Sequence, residues 1–255
     1  MTHASHTHAH GHGHSSQRPS RLRLATYNVH KCRGLDGRTR VERIAEVLAG
    51  LDADVIALQE VVGSGPEENG QAAELGARLG MGWVMDSVRL MRGKAYGNVV
   101  LSRLPIAMTH SCDLSCAKRE PRGCHRVDVD VDGRILHVFN VHLGTAVLER
   151  REQAPRLADF VADAQVPGPK VLLGDFNEWV KGLTSKTLSQ MLEGVDLSAH
   201  LRRRRTYPGV LPMFHLDHIY VAGGLEVEKV AFPRNKLTLI ASDHIPLVAD
   251  VRMPG

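Results

Sequence analysis

The segment VLLGDFNEW, residues Val171–Trp179, places polar side chains directly after an apolar strand. Its first residues suit a buried strand, and they are followed at once by Asp175, Phe176 and Asn177. Because successive residues of a strand face opposite sides, Asp175 and Asn177 would point the same way if the strand continued. The alternative is a turn, since Gly, Asp and Asn break strands and cap helices. From these residues alone both interpretations stay open.

Polar residues stand at the ends of several other apolar segments. They are Asn28 after LATY, Glu60 after VIALQ, Asn140 and His142 in VFNVH, Asp217 in LDHIYV, and Asp243 and His244 in DHIPLVADV. Each one alone is explained by a cap or a turn. Together they predict a single rim where loops gather, which is the usual place for a functional site.

The composition is that of an ordinary globular protein. Of the 255 residues 43% are apolar and 24% are charged. No apolar run approaches the roughly 20 residues of a transmembrane helix. The N-terminal segment lacks the apolar core of a secretory signal, so we expect a cytoplasmic protein without a transmembrane segment. The net charge of +4 neither requires nor excludes a polyanionic partner.

The N-terminal segment, residues 1–22, is a low-complexity tract that we expect to be disordered. Its histidines are His3, His6, His8, His10, His12 and His14. Such a tract could bind transition metals such as zinc or nickel. Residues 23–255 show no repeat and no linker, so we expect them to form one domain, and we expect a monomer.

Strands and helices alternate through this domain. The expected strands include RLATYNV, DVIALQE, GNVVLSR, CHRVDVDVD, RILHVFNVH, KVLLGDFN, LDHIYVAG, LEVEKVAF and DHIPLVADV. Asp132 and Gly133 predict a hairpin turn, and Thr39–Glu42 predicts a capping box at the start of a helix. A further helix is expected over Ala146–Ala164 despite Pro155. Mixed strands with interspersed helices indicate α/β or α+β layering.

The polar residue types suit one chemistry. Carboxylate and carboxamide oxygens are hard ligands for Mg²⁺ or Mn²⁺. A histidine beside an acid is held in one orientation for proton transfer or for donation to an anion. Carboxylates without a cation would repel a phosphate, so the pattern predicts metal-assisted attack of water on phosphorus.

The chain resembles the endonuclease/exonuclease/phosphatase superfamily, in particular its compact bacterial members. The matching motifs, in the family's order, are TYNVHKCRG, ALQEV, YGNVVLSRLPI, REPRG, NVHLG, LLGDFN, RTYP, LDHIYV and SDHIPL, spanning about residues 24 to 250. The resemblance implies a DNase-I-like α/β (α+β) fold. In this four-layer sandwich, two mixed β-sheets pack face to face and are flanked by helices.

The resemblance also implies the roles of the polar residues. Asn28, Glu60 and Asp243 would form a site for Mg²⁺ or Mn²⁺, with Glu60 as the principal ligand. Arg122 would clamp the substrate phosphate, because guanidinium pairs bidentately with phosphate oxygens. Asn140 is expected as a second phosphate-binding residue.

The remaining matched residues are expected to be catalytic. Asp175 would position and deprotonate the attacking water, with Asn177 beside it on the phosphate. Asp217 would orient His244 toward the phosphate, and His142 would act from the opposite side. The family pattern leaves open whether Asp175 or His244 is the general base.

Two further features bear on the substrate. Many relatives have an arginine where this chain has His218. An arginine there could contact phosphate at any pH, whereas His218 would do so only when protonated or as a neutral donor. The run Arg202–Arg205 could steer a polyanion, or it could be a solvated loop.

The leading hypothesis is a phosphodiesterase or nuclease. The acidic loop GSGPEENG after Glu60 and the aromatic content of 4% weigh slightly against tight DNA binding. The first alternative is a phospholipid or small-molecule phosphoesterase with the same site, and a lipid substrate would require an exposed apolar or basic patch. A non-catalytic metal-binding protein is the remaining alternative, and the complete set of family residues weighs against it.

Overall fold

The computed structural model describes residues 21–65, 70–179, 182–190, 192–194, 207 and 216–255. The strands in these residues are β1 (Arg21–Asn28), β2 (Val55–Val62), β3 (Gly82–Met91), β4 (Lys94–Ser102), β5 (Ile106–Asp113), β6 (Gly123–Val131), β7 (Arg134–His142), β8 (Lys170–Asp175), β9 (Glu193–Gly194), β10 (Asp217–Ala222), β11 (Glu226–Ala231) and β12 (Leu247–Arg252). The helices are α1 (Val41–Leu51), α2 (Gln71–Leu79), α3 (Val147–Val161), α4 (Leu183–Leu188) and α5 (Lys236–Ala241).

The strands form two six-stranded sheets. The first sheet has the order β11-β12-β1-β2-β4-β3, and the second has the order β5-β6-β7-β8-β10-β9. Each sheet contains a parallel pair near its middle, β1 with β2 and β7 with β8, and its other neighbours are antiparallel. Both sheets are therefore mixed, as predicted.

Apolar side chains hold the sheets together and attach the helices. Between the sheets, residues such as Leu24 and Val100 share one cluster with Val127 and Leu173. The buried side chains of α1 and α2 pack on the outer face of the first sheet. Those of α3 pack on the outer face of the second sheet. Strands covered on both faces read as continuous apolar runs, which is why they stand out in the sequence. The predicted four-layer sandwich is confirmed.

The sequence boundaries need small corrections. Strand β1 begins at Arg21, and Leu22 is buried, so the fold starts two residues before the expected boundary at residue 23. The rest of the histidine-rich segment lies outside the described residues. Helix α1 begins at Val41 after an extended Arg40 without a side-chain cap, so the predicted capping box is wrong.

The turn between β6 and β7 is as predicted. Asp132 and Gly133 both have positive φ, +54° and +82°, and join the paired residues Val131 and Arg134. This conformation is that of a two-residue type I′ hairpin. No helix in the described part of the chain is long and apolar enough to cross a bilayer.

The register brings the polar strand ends to one edge of the sandwich. Asn28 lies beside Gln59 at the ends of β1 and β2, and His142 lies beside Asp175 at the ends of β7 and β8. The antiparallel neighbours β4, β6, β10 and β12 begin at this same edge. We call this edge, with the loops that leave it, the rim.

Candidate active site

Asp175 is the centre of the polar cluster at the rim. Its side chain is buried, and its Oδ1 accepts a hydrogen bond from the backbone N–H of Asn177 at 2.9 Å. Its Oδ2 accepts one from Asn28 Nδ2 at 3.0 Å. The Nε2 atoms of His142 and His244 each lie 3.6 Å from this same Oδ2. Residues far apart in sequence therefore converge on one carboxylate oxygen.

The chain leaves β8 in a turn directly after Asp175. Asn177 has a φ of +49°, and its Nδ2 donates to the carbonyl oxygen of Leu143 at 2.9 Å. Of the two interpretations that the sequence leaves open, continued strand alternation from Asp175 to Asn177 is therefore excluded. The backbone is a turn, and the Asn177 N–H fixes the carboxylate that the strand delivers.

Asp217 holds His244 from the neighbouring strand. Its Oδ2 lies 3.1 Å from His244 Nδ1, and both side chains are buried. Burial alone would lower the pKa of His244, but the carboxylates of Asp217 and Asp175 outweigh it and raise the pKa to about 10. Burial raises the pKa of Asp175 to about 6, opposed by His244 and reinforced by Asp217. The geometry therefore favours a protonated His244 imidazolium between the two acids.

Arg122 lies against His142 on the other side of Asp175. Its Nη1 is 3.0 Å from His142 Nδ1 and 3.2 Å from Nε2, while its Nη2 donates to Glu120 at 2.9 Å. Burial, aided by the Arg122 charge, holds the pKa of His142 well below its usual value. His142 is therefore a neutral imidazole, unlike His244.

Glu60 presents an ionised carboxylate at the end of β2. The pairing of β2 with β4 shifts register between Leu58 and Val61, and Glu60 has a φ of +59°. Such bulges re-aim side chains next to functional sites. Asn28 Nδ2 lies 3.3 Å from Glu60 Oε1. Burial would raise the pKa of Glu60, but the Lys31 ammonium and the hydrogen bond from Asn28 hold it below its usual value.

Lys31 is a site residue that the sequence interpretation missed. Its Nζ donates to Glu60 Oε2. Lys31 lies in a short 3-10 turn, His30–Cys32, whose residues have positive φ values of 46°, 61° and 55°. Strained backbone of this kind is often stored at functional sites. The available signal was its position three residues after Asn28, where β1 leaves the rim.

Asp243 lies at the solvent side of the cluster. Its Oδ1 is 3.2 Å from Ser242 Oγ and 3.6 Å from His30 Nδ1. Ser242 Oγ donates to the Asn28 carbonyl at 2.7 Å, and Asn28 Oδ1 accepts from the His30 N–H at 3.0 Å. Asp243 is thus connected to Asn28 and, through it, to Glu60.

Of the residues proposed to bind metal, Glu60 is placed to hold a cation and Asn28 is not. The partly buried Glu60 carboxylate already holds a cation, the Lys31 ammonium, so it is a cation-binding position. As placed, Asn28 turns its N–H groups toward Glu60 and Asp175 and so orients carboxylates instead of offering its oxygen. Within the described ranges, no three His, Cys, Asp or Glu side chains already form a metal centre.

Asn140 lies between the sheets and does not reach the site, contrary to the expectation that it binds phosphate. Its Nδ2 donates to the carbonyl oxygens of Leu58 and Val99, both at 2.9 Å, and its Oδ1 accepts from Gln59 Nε2 at 2.8 Å. The side chain is fully buried. Since both its polar atoms are engaged by the opposite sheet, Asn140 joins the two sheets beneath the rim.

Of the two features that bear on the substrate, the structure describes His218 and not the arginine run. The His218 ring packs against Phe176 and Tyr220, with centroids 5.3 Å and 6.2 Å away. The run Arg202–Arg205 lies outside the described residues. Tyr207 is described, and its ring centroid lies 5.0 Å from that of His244 and 5.5 Å from that of Trp179. An aromatic side chain therefore borders the cluster next to His244.

A depression of about 370 Å³ lies at the opposite end of the sandwich, between the end of α3 and the start of β8. Its charged lining residues are Asp163 and Lys170, and Lys170 Nζ donates to the carbonyl oxygens of Val161 and Asp163. It lacks the paired acid and histidine side chains of the rim. The rim is therefore the candidate active site.

Sequence comparison agrees with the architecture. Residues 25–244 match the family model described as the Endonuclease/Exonuclease/phosphatase family. A protein of Escherichia coli K12 named "Uncharacterized protein YbhP" is 28% identical over 246 residues, which are 91% of this chain and 96% of that protein. The segment that matches the family model, residues 25–244, includes every residue singled out at the rim.

Solved structures show the same fold. An endonuclease/exonuclease/phosphatase from Beutenbergia cavernae is 26% identical and superposes with a TM-score of 0.71, covering 92% of this chain and 72% of that one. The Bacteroides thetaiotaomicron mannosyl-6-phosphatase Bt3783 is 18% identical, with a TM-score of 0.71 over 90% of this chain and 99% of its own. The second likeness concerns the fold alone.

Proposed function

The chain belongs to the endonuclease/exonuclease/phosphatase family, and from this premise we propose that it is a divalent-metal-dependent hydrolase of phosphodiester bonds. The family consists of phosphoesterase and nuclease-type hydrolases that generally use divalent metals. The observation that carries the proposal is the Asp175 Oδ2 atom, which lies 3.6 Å from a histidine on either side.

In the proposed reaction, Asp175 positions a water molecule and accepts its proton. Its Oδ1 and Oδ2 are fixed by the Asn177 N–H and the Asn28 amide, so the carboxylate is held without rearrangement. The water oxygen forms a bond to phosphorus as the bond from phosphorus to the leaving oxygen breaks, the leaving oxygen takes up a proton from solvent, and Asp175 returns its proton to solvent. Preorganised groups of this kind contribute to catalysis because they need not reorient during the reaction.

The roles of Asp175 and His244 follow from their neighbours. His244 lies between two carboxylates that favour its protonated form, and a protonated imidazole cannot accept the proton of water. We therefore assign the base to Asp175 and assign His244 as a donor to a phosphate oxygen. Asp217 keeps the imidazolium in place.

His142 and Arg122 act on the other side of the phosphate. His142 is neutral, and Arg122 holds it by contact with its ring nitrogens. We propose that His142 donates to the phosphate or the leaving oxygen, while Arg122 adds positive charge where charge develops. Asn177 completes the proposed catalytic set.

Mg²⁺ or Mn²⁺ would be held by Glu60 and Asp243, with Asn28 orienting the Glu60 carboxylate. When bound, it would supply Lewis-acid stabilisation of phosphate charge and neutralise the acidic cluster. The chain's own contribution is the ionised Glu60 carboxylate, which is kept in the anionic form by its neighbours and occupied by the Lys31 ammonium.

The proposal is tested with a panel of phosphoesters. The purified protein is assayed with Mg²⁺, with Mn²⁺ and with EDTA against bis(p-nitrophenyl) phosphate, p-nitrophenyl phosphate, plasmid DNA and single-stranded RNA, with His244→Gln as the inactive control. We expect metal-dependent hydrolysis of diesters that His244→Gln abolishes. Hydrolysis of the monoester alone, or equal rates for both proteins, would contradict the proposal.

A further inference from the structure

Exposed large apolar side chains are concentrated at the rim. The described part of the chain has seven of them, and Met108 on the edge strand β5 is the one that lies away from the rim. The other six are Leu35, Leu90, Val147, Leu148, Trp179 and Ile240. Single exposed apolar residues are ordinary, but their concentration around a polar site is not.

The strand register places these six residues at the same edge. Leu35 and Ile240 are joined by a backbone hydrogen bond of 3.0 Å, between the turn after β1 and the end of α5. Trp179 follows Asp175 by four residues, at the end of β8. Leu90 lies near the tip of the β3–β4 hairpin, which extends past the last residue pair of β2 with β4, Val62 with Tyr96.

The most exposed of the six are Leu90, Val147 and Leu148, at 70%, 66% and 64%. Val147 and Leu148 form the first turn of α3, directly after the loop that leaves β7 at His142. Leu90 and α3 thus project from different sheets on the two sides of the candidate site. Apolar tips projecting around a polar cleft suit insertion into an apolar layer that lies over the cleft.

Three of the loops at the rim carry an excess of positive charge. Loops 33–40, 92–93 and 115–120 contain six exposed basic residues, which are Arg33, Arg38, Arg40, Arg92, Lys118 and Arg119. Their acidic residues are Asp36, which is paired with Arg43, and Glu120, which is paired with Arg89 and Arg122. Positive loops beside apolar tips favour an anionic partner with an apolar interior.

We propose that the rim docks on the surface of an anionic lipid membrane, with Leu90, Val147 and Leu148 inserted among the lipids and the basic loops on the head groups. This arrangement places Asp175 above the head-group phosphates. The substrate class that follows, a phosphodiester of a membrane lipid, rests on the proposed hydrolysis, whereas the docking itself does not.

Vesicle co-sedimentation in EDTA tests the docking without any reaction. The full chain is mixed with vesicles of phosphatidylcholine alone or with phosphatidylglycerol added, and compared with the triple variant Leu90→Ser, Val147→Ser, Leu148→Ser. The matched control is Met108→Ser, which removes an apolar side chain that is 54% exposed and lies away from the rim. We expect binding to the anionic vesicles that weakens at least ~10-fold in the triple variant and is unchanged in the control.

Several outcomes would overturn the docking. They are absence of wild-type binding to anionic vesicles, equal binding by the triple variant, or a dimer by light scattering that the triple variant converts to a monomer. The last result would make the rim an interface between two copies.

Hydrolysis of soluble bis(p-nitrophenyl) phosphate separates this inference from the proposed function. Vesicle binding without hydrolysis supports docking and contradicts the function alone. Hydrolysis without vesicle binding overturns docking alone. The triple variant is expected to keep the wild-type rate on the soluble diester, which also shows that it is folded.

Discussion

Asp175 and Asp217 are register partners on adjacent antiparallel strands, and the His244 ring lies between their carboxylates. Nδ1 is 3.1 Å from Asp217 and Nε2 is 3.6 Å from Asp175. Two buried acids at this spacing would repel each other, and the imidazolium offsets that repulsion. The two acids differ in their contacts, because Asp217 holds the histidine, whereas Asp175 also accepts from Asn28 and faces His142.

Asp217→Asn should lower kcat at least ~10²-fold while leaving the fold intact, because the amide no longer favours a protonated, oriented His244. The measurement is steady-state hydrolysis of a phosphodiester, with the far-ultraviolet circular dichroism spectrum as the check of folding.

Asp128→Asn is the matched control for Asp217→Asn. Asp128 forms a buried pair with His137, 2.7 Å apart, in the interior of the second sheet away from the rim. Its substitution should reduce stability and leave kcat close to wild type. Equal loss of kcat in both variants would show that any buried acid–histidine pair matters, and the role of Asp217 would be refuted.

Lys31→Met should bind Mn²⁺ more tightly than wild type, by ~3- to 10-fold, because the metal no longer displaces an ammonium from Glu60. Isothermal titration calorimetry measures the affinity directly. Arg92→Met, which removes an exposed charge at the hairpin tip, is the control for a general change of charge. Unchanged or weaker binding by Lys31→Met would show that the ammonium does not compete with the metal.

Asn140→Leu should destabilise the fold by ~2–5 kcal/mol, because it removes three hydrogen bonds between the sheets and leaves their partners buried. Denaturant unfolding measures the free energy of unfolding, and the folded variant should keep the wild-type KM. A raised KM with unchanged stability would instead restore the phosphate-binding role expected from the sequence.

Thiol reactivity should follow burial. Burial raises the pKa of the Cys32 and Cys124 thiols, whose side chains are fully buried, whereas Cys112 and Cys116 are partly exposed. Since the thiolate is the reactive form, iodoacetamide at pH 8 should modify Cys112 and Cys116 first and reach the other two after unfolding. Mass spectrometry identifies the modified residues. Rapid alkylation of Cys32 in the native protein would contradict the described core.

Much of the fold was predictable because strands buried on both faces are continuous apolar runs. The segments around Leu58, Val138 and Leu173 are examples. Strand β3 was missed because its residues are mostly half-buried and lack a clear alternation. Helix α5 was missed because six residues are too few to show a period, although Asn235 caps it with a hydrogen bond to the Thr238 N–H.

The candidate site was predictable where residues match a motif, and less so where three-dimensional context decides. Glu60 and His244 carry recognisable neighbours in sequence. Asn140 lies in a motif as well, but its side chain faces the opposite sheet. Its hydrogen-bond partners belong to that sheet, and the sequence around Asn140 does not show them. Lys31 acts through a strained turn, which no periodic pattern shows.

The most direct test of the central claim is the metal-dependent rate of phosphodiester hydrolysis by wild type and Asp175→Asn. The isosteric amide keeps the size of the side chain and removes the base. We predict that wild type is inactive in EDTA and active with Mn²⁺. Asp175→Asn should be at least ~10³-fold slower than wild type, with Mg²⁺ as well as with Mn²⁺. A wild-type rate unaffected by EDTA, or an Asp175→Asn rate equal to wild type, would contradict the account.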